Sequence, residues 1–109
     1  MPGLPRPLYR MKADFFKTLG HPVRIRVLEL LSRREHTVAE MLAEIDVEAA
    51  NLSQQLSILR RAGLVTARRE GLSVTYTITT PEVAQLLAVA RAILTGVVAG
   101  QAEALEKPA

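Results

Sequence analysis

Residues 48–63 constrain the fold more than any other stretch. Ala49, Leu52, Leu56 and Leu59 recur at i, i+3, i+7 and i+10, one apolar stripe at helical period that must face a core. At about 100° per residue, the opposite face carries Ala50, Gln54, Ser57 and Arg61, flanked by Asn51, Ser53 and Ile58. It is built from small or neutral hydrogen-bonding side chains with no acid among them. A merely solvated helix face more usually mixes Glu with Lys. Gly63 supplies the helix stop. Short side chains that donate and accept suit a helix lying in a DNA major groove. They let the backbone approach, and Gln or Asn can pair both polar atoms of adenine. The stretch therefore implies a recognition helix. Asn51, Ser53 and Gln54 are expected at base edges, with Ser57 on the same face. Gln54 is the best candidate for a bidentate adenine contact, and Gln55, nearer the core edge, is a lesser one.

The chain before and after this helix supports that reading. Thr37 with Glu40 three residues on has the form of a capping box, opening a short helix with Val38, Met41, Leu42 and Ile45 on its apolar face. A turn at Asp46-Val47 joins it to the central helix. Two short helices across a tight turn are a helix-turn-helix, expected over residues 37–62. After Gly63 the period changes. Residues 64–69 and 73–79 are rich in β-branched side chains, and Glu70-Gly71-Leu72 between them offers Gly for a positive φ. This hairpin, over residues 64–79, is a wing. Upstream, residues 12–19 predict a short helix with Phe15, Phe16 and Leu19 as its apolar contacts. Gly20-His21-Pro22 breaks it, and Pro22 starts a helix running to about Ser32. Arg33-Arg34-Glu35-His36 reads as a polar turn. Residues 1–10, with Pro2, Pro5 and Pro7, predict a flexible arm. Thr80 as cap and Pro81 in the first turn open a last helix. The expected organisation is an arm (1–10), a winged helix-turn-helix (11–80) and a C-terminal helix (81–106). The fold class is mainly α with a β-hairpin wing: about five helices and two antiparallel strands.

Charge and hydropathy bound the partners. At 109 residues this is one small domain of net charge +3. Residues 51–69 hold Arg60, Arg61, Arg68 and Arg69 and no acid, a basic patch suited to an anionic polymer. Arg61, Arg68 and Arg69 are the expected phosphate contacts. Arg60 points to the flank and is set aside. Double-stranded DNA is the expected partner. Hydrophobic residues make up 49% of the chain and mean hydropathy is +0.15, more apolar side chain than a monomer this small can hide. Between residues 83 and 99 the last helix is apolar nearly all round, with Gln85, Arg91 and Thr95 its only strongly polar residues. This predicts a homodimer whose interface draws on Leu86, Val89, Ala90, Ile93, Leu94 and Val97, with Phe15 and Phe16 of the first helix. The longest uncharged run near the C-terminus, between Arg91 and Glu103, falls short of the roughly 20 residues a bilayer needs. The N-terminal stretch lacks the apolar segment of a signal peptide. No cysteine is present, so disulfides and thiolate metal sites are excluded. A cytoplasmic protein without membrane association is expected.

Several motifs in order carry a family resemblance. Phe16-Lys17-Thr18-Leu19-Gly20-His21-Pro22-Val23-Arg24-Ile25-Arg26-Val27-Leu28 resembles the opening FKALGHPTRLRIL pattern of the ArsR/SmtB bacterial repressors. Asn51-Leu52-Ser53-Gln54-Gln55-Leu56 stands where that family carries T-V-S-H-H-L. Leu59-Arg60-Arg61-Ala62-Gly63-Leu64-Val65 and Arg68-Arg69-Glu70-Gly71 resemble its LREAGLV and RREG segments. The match runs over residues 12–79. It implies a homodimeric winged-helix repressor joined through its first and last helices and bound to an inverted repeat at a promoter. The departures bear on control. Where metal sensors carry E-L-C-V-C, this chain reads Glu35-His36-Thr37-Val38-Ala39, and the last helix has no His. Glu82, Glu103 and Glu106 are not spaced as a chelating set. His36 alone cannot build a site, and His21 reads as a cap. No metal and no cofactor are expected, and the inducing effector is not legible. Gln54 and Gln55 replace the family's two histidines, which implies a changed operator. The tip Glu70-Gly71-Leu72 lacks the arginine often found there.

Two other readings explain less of the sequence. A dimeric winged-helix module that binds a protein explains the helices and hairpin, but not an acid-free arginine cluster beside an outward Ser/Asn/Gln face. A metal-responsive repressor with an unusual site lacks ligands. An enzyme is not expected: there is no Ser-His-Asp order, no paired-carboxylate setting and no phosphate-binding glycine loop.

Overall fold

The structure, a computed structural model, describes residues 6–106, with side chains to Gln101. The described residues divide into two compact units, the first ending at Thr79 and the second beginning at Thr80. The first contains α1 (Leu8–Leu19), α2 (Pro22–Arg33), β1 (His36–Thr37), α3 (Val38–Glu44), α4 (Ala49–Arg61), β2 (Val65–Glu70) and β3 (Ser73–Ile78). The second is α5 (Glu82–Glu106).

α1 starts four residues before the expected helix. Pro7 takes the N-cap position at φ −56°, ψ 139°, with a φ that its ring already fixes, so this proline precedes a helix instead of preventing one. Residues 8–10 of the expected arm are therefore helical, and residues 1–5 of it lie outside the described residues. α2 begins as its sequence implies. His21, in extended conformation, accepts the Val23 N–H at its Nδ1 (3.1 Å), with Pro22 following at the first helical position. The Thr37–Glu40 capping box of α3 is complete. Thr37 Oγ1 accepts the Glu40 N–H (3.1 Å), and Glu40 Oε1 accepts the Thr37 N–H (2.9 Å).

The sheet has three strands, not two, in the order β1-β3-β2 and all antiparallel. β1 joins His36, the last residue of the expected polar turn, to Thr37, the expected helix cap. His36 pairs Tyr76 and Thr37 pairs Thr75. The wing pairs Val65 with Ile78 through Glu70 with Ser73, leaving Gly71 and Leu72 as a two-residue turn. Gly71 has φ +63° and Leu72 a negative φ, the arrangement of a type II′ hairpin.

The core of this unit is Leu19, Val27, Leu28, Leu30, Leu31, Met41, Ile45, Leu52, Leu56, Leu59, Leu64 and Val65. Leucines thus face inward from α1, α2 and α4 at once. α4 ends in a Schellman motif: the Gly63 N–H reaches Arg60 O (3.0 Å) and the Leu64 N–H reaches Leu59 O (3.0 Å), with Gly63 at φ +78°. Thr79 Oγ1 then donates to Gly63 O (2.6 Å) and the Thr79 N–H to Leu64 O (3.0 Å). The end of the wing is in this way tied to the end of the recognition helix.

In the second unit, Thr80 Oγ1 donates to Glu82 Oε2 (3.2 Å), and the backbone turn into α5 is closed by Val83 N–H to Thr80 O and Ala84 N–H to Pro81 O. Every residue from Arg91 to Gln101 is exposed. On length and composition alone α5 does qualify as a membrane span. Glu82–Gln101 is 20 residues with mean hydropathy 1.8, because apolar residues continue on both sides of Arg91. The expectation of no such segment, measured from Arg91 onward, is corrected on that point. Arg91 falls at the midpoint of the stretch, where a charge in hydrocarbon costs about 2.5–3.5 kcal/mol.

Candidate nucleic-acid interface

α4 carries the site because its two faces separate cleanly. Leu52, Leu56 and Leu59 are buried at 0–1% exposure and hold the helix against the core. Ala50, Asn51, Ser53, Gln54, Ser57, Arg60 and Arg61 are exposed, and Ile58 is half-buried. Ala49, expected in the buried stripe, is exposed as the first residue of the helix.

Gln55 does not belong with the outward set. It is 6% exposed, its Oε1 accepts from Arg24 Nη1 (2.8 Å), and its Nε2 donates to Asn51 Oδ1 (2.9 Å). A base-edge role for Gln55 is corrected to a supporting one. The physical reason is tertiary: Arg24, 31 residues earlier, supplies the donor that makes burying a glutamine tolerable. Asn51 stays exposed with its oxygen turned to Gln55.

The arginines sort by their partners. Arg60 and Arg61 line, with Ser57, an open hollow of about 470 Å³ at the end of α4, and Arg61 Nε reaches Ser57 O (3.4 Å). Neither has an acid within ion-pair distance among the described residues, nor has Arg69. Arg60, set aside on helical angle, thus shares the hollow with Arg61. Arg68 differs. Its Nη2 lies 2.6 Å from Glu70 Oε1 and 3.3 Å from Glu35 Oε1, so one cation faces two carboxylates. As an expected phosphate contact Arg68 is therefore occupied within its own chain. Leu72 at the wing tip is fully exposed.

The apolar residues expected at a subunit interface divide similarly. Phe16 (54%), Val89 (55%), Ile93 (61%), Leu94 (61%) and Val97 (49%) are exposed, while Phe15, Leu86 and Ala90 are half-buried. Phe15 and Phe16 stack edge to face with ring centroids 5.5 Å apart. Sequence reading missed Leu8, Tyr9 and Met11 on α1 and Val98 on α5, all at least half exposed. A helix start at Leu8 was the signal that would have found the first three.

Both histidines are engaged structurally. His21 caps α2, and buried His36 donates from Nδ1 to the Arg34 carbonyl oxygen (2.9 Å). Among the described residues no three His, Cys, Asp or Glu side chains gather as a metal site.

A β2–β3 wing completed by β1 into a three-stranded sheet, after an α4 with an open polar face, defines a winged helix-turn-helix protein. Residues 19–68 match a family model described as a helix-turn-helix domain. An uncharacterised helix-turn-helix transcriptional regulator of Mycobacterium tuberculosis, Rv0081, is 54% identical over 101 residues, covering 92% of this chain and 89% of the relative. Its crystal structure superposes with a TM-score of 0.79 over 90% of this chain and 99% of that one, at 52% identity. The transcriptional repressor BigR of Xylella fastidiosa matches at TM-score 0.74 and 35% identity, covering 78% of this chain and 87% of its own. The homodimeric winged helix-turn-helix DNA-binding domain of a possible ArsR-family regulator from Mycobacterium bovis matches at TM-score 0.72 and 29% identity, covering 90% and 94%. The chain belongs to the ArsR/SmtB family of winged helix-turn-helix transcriptional regulators, DNA-binding proteins and not enzymes.

Proposed function

We propose that this protein is a homodimeric repressor that binds an inverted-repeat operator in duplex DNA, acting in the cytoplasm and without a controlling metal. The observation that carries the reading is the exposed face of α4: Asn51, Ser53, Gln54 and Ser57 stand outward with no acid among them, on a helix clamped by three buried leucines. Asn51, Ser53 and Gln54 read base edges, and Arg60, Arg61 and Arg69 hold phosphates at the helix end and wing. Repression is supported by the similarity to BigR, and dimerisation by the similarity to a homodimeric domain. The exposed apolar residues of α5 and of α1 then cover a second subunit instead of lipid. Two-fold symmetry sets two recognition helices about 34–36 Å apart on successive major-groove faces.

The test is a gel shift of the purified protein on the DNA upstream of its own gene, with a scrambled duplex of equal length as control. Each is run with a chelator and with added Zn²⁺. Selective retardation of the upstream DNA, unaltered by chelator or metal, is the expected result. Equal affinity for both duplexes removes the sequence-specific reading, and Zn²⁺-dependent release removes the metal-free one.

A further inference from the structure

We infer that Arg24 is a specificity-determining positioning residue: it fixes the orientation of two side-chain amides so that Asn51 presents its N–H₂ group to the groove and selects guanine over cytosine. The inference rests on the proposal above that α4 contacts base edges.

The polarity follows from one donor-only group. Arg24 Nε donates to the Thr18 carbonyl oxygen (2.6 Å) and Nη1 to Gln55 Oε1 (2.8 Å). A guanidinium has five N–H donors and no acceptor, so only an oxygen can face it. With Oε1 held on Arg24, the Gln55 Nε2 faces along α4 and donates to Asn51 Oδ1 (2.9 Å), one helical turn away. Asn51's oxygen is thereby turned along the helix surface, and its nitrogen occupies the other branch of the planar amide. A flipped Gln55 would set N–H₂ against the guanidinium, and burial at 6% exposure keeps water from repairing the mismatch. The direction of donation therefore runs from Arg24, through Gln55, to Asn51.

Asn51 is exposed, and the group left for a ligand is a donor. On the major-groove edge guanine offers two acceptors, N7 and O6, and cytosine offers the N4 donor. An outward N–H₂ thus favours guanine and opposes cytosine. An unanchored asparagine would rotate freely and accept from cytosine, or pair adenine in the bidentate way.

The test is selection from a pool of duplexes with a randomised core, using the full chain and its Arg24→Met, Arg24→Lys, Gln55→Glu and Asn51→Ala variants. The position that loses its preference in Asn51→Ala marks the contacted base. At that position wild type is expected to select guanine, and Arg24→Met is expected to reduce discrimination against cytosine about tenfold. Arg24→Lys, whose ammonium is also donor-only, retains the preference in full or in part. In Gln55→Glu a carboxylate can only accept, so the Asn51 N–H₂ turns to it and the oxygen faces out. The preference then moves to a base bearing a donor, cytosine or adenine. This variant keeps a partner for Arg24 and carries the test if Arg24→Met fails to fold. Arg24→Met with wild-type discrimination against cytosine, together with Gln55→Glu selecting the wild-type base at that position, overturns the inference and leaves the proposed function standing. A wild-type protein that selects no sequence overturns the proposed function and the inference with it.

Discussion

Arg68 on β2 and Glu35, 33 residues earlier in the chain, face each other at 3.3 Å, and Glu70 closes on the same guanidinium at 2.6 Å. All three side chains are about half exposed, so each pair contributes little to stability in isolation. What the arrangement does is set local charge: one cation between two carboxylates leaves this group, in the half of the wing nearer its turn, at a formal −1. The wing therefore does not offer two equivalent arginines to a phosphate backbone, although the sequence has them side by side.

Replacing Arg68 by Ala is accordingly expected to leave the salt dependence of DNA binding nearly unaltered. Arg60→Ala, Arg61→Ala and Arg69→Ala should each lower the slope of log affinity against log salt by about one, on specific and random duplexes alike. Fluorescence anisotropy over a salt series measures this. A drop of about one for Arg68→Ala would mean that DNA displaces Glu35 and Glu70.

The capping box makes a stability prediction with a defined pH window. Thr37→Ala should cost about 1 kcal/mol, read from urea unfolding. Glu40 is held at a pKa of about 2 against an ordinary 4.5, first by the Thr37 N–H and then by Arg34. Its folded pKa is depressed, so the carboxylate's contribution is present above the ordinary value and lost as pH falls toward about 2. Between those values the unfolded chain binds more protons, and stability rises with pH. Glu40→Gln should flatten that rise. A variant with the wild-type pH profile would show that other carboxylates govern it.

Much of this was legible in the chain, and the parts that were not share a cause. The leucine stripe of α4, the Gly63 stop, the Thr37–Glu40 box and the Gly71 turn are local patterns, each complete within a few residues, and each appears as read. Gln55 was misjudged because a polar side chain signals surface unless a distant partner satisfies it, and Arg24 is 31 residues away. The ion pair of Arg68 is hidden for the same reason, since Glu35 stands 33 residues away. β1 is two residues long, too short for any period to register. α1 was begun late because Pro7, which fits an N-cap, reads in isolation as a breaker.

The dimer proposal predicts that Ile93→Asp with Leu94→Asp, both 61% exposed in the single chain, yields a folded monomer. Burying such a side chain is worth about 1.5–3 kcal/mol, so two charges per subunit should outweigh the remaining contacts. Size-exclusion chromatography with light scattering gives the mass, and operator affinity should fall with dimerisation. A monomer that binds the operator at wild-type affinity would separate DNA binding from subunit pairing. A variant that stays dimeric would move the interface elsewhere.

Metal independence is open to a direct check. Among the described residues no three His, Cys, Asp or Glu side chains gather, and the chain has no cysteine, so Zn²⁺ finds no assembled set of its preferred ligands within one chain. Isothermal titration with Zn²⁺ should show no stoichiometric binding at micromolar protein. A one-to-one isotherm per subunit that also released DNA would overturn this and direct attention to acids contributed across the dimer.

In the proposed function the outward face of α4 reads sequence, and Gln54→Ala probes that face alone. Gln54 is exposed, and no hydrogen bond within the described residues engages its side chain, so its removal leaves the fold intact. Affinity for the upstream operator and for a scrambled duplex would be measured side by side at one salt concentration. The expected result is a loss of about 1–3 kcal/mol on the operator and little on the scrambled duplex. An equal loss on both, or none on either, would contradict it.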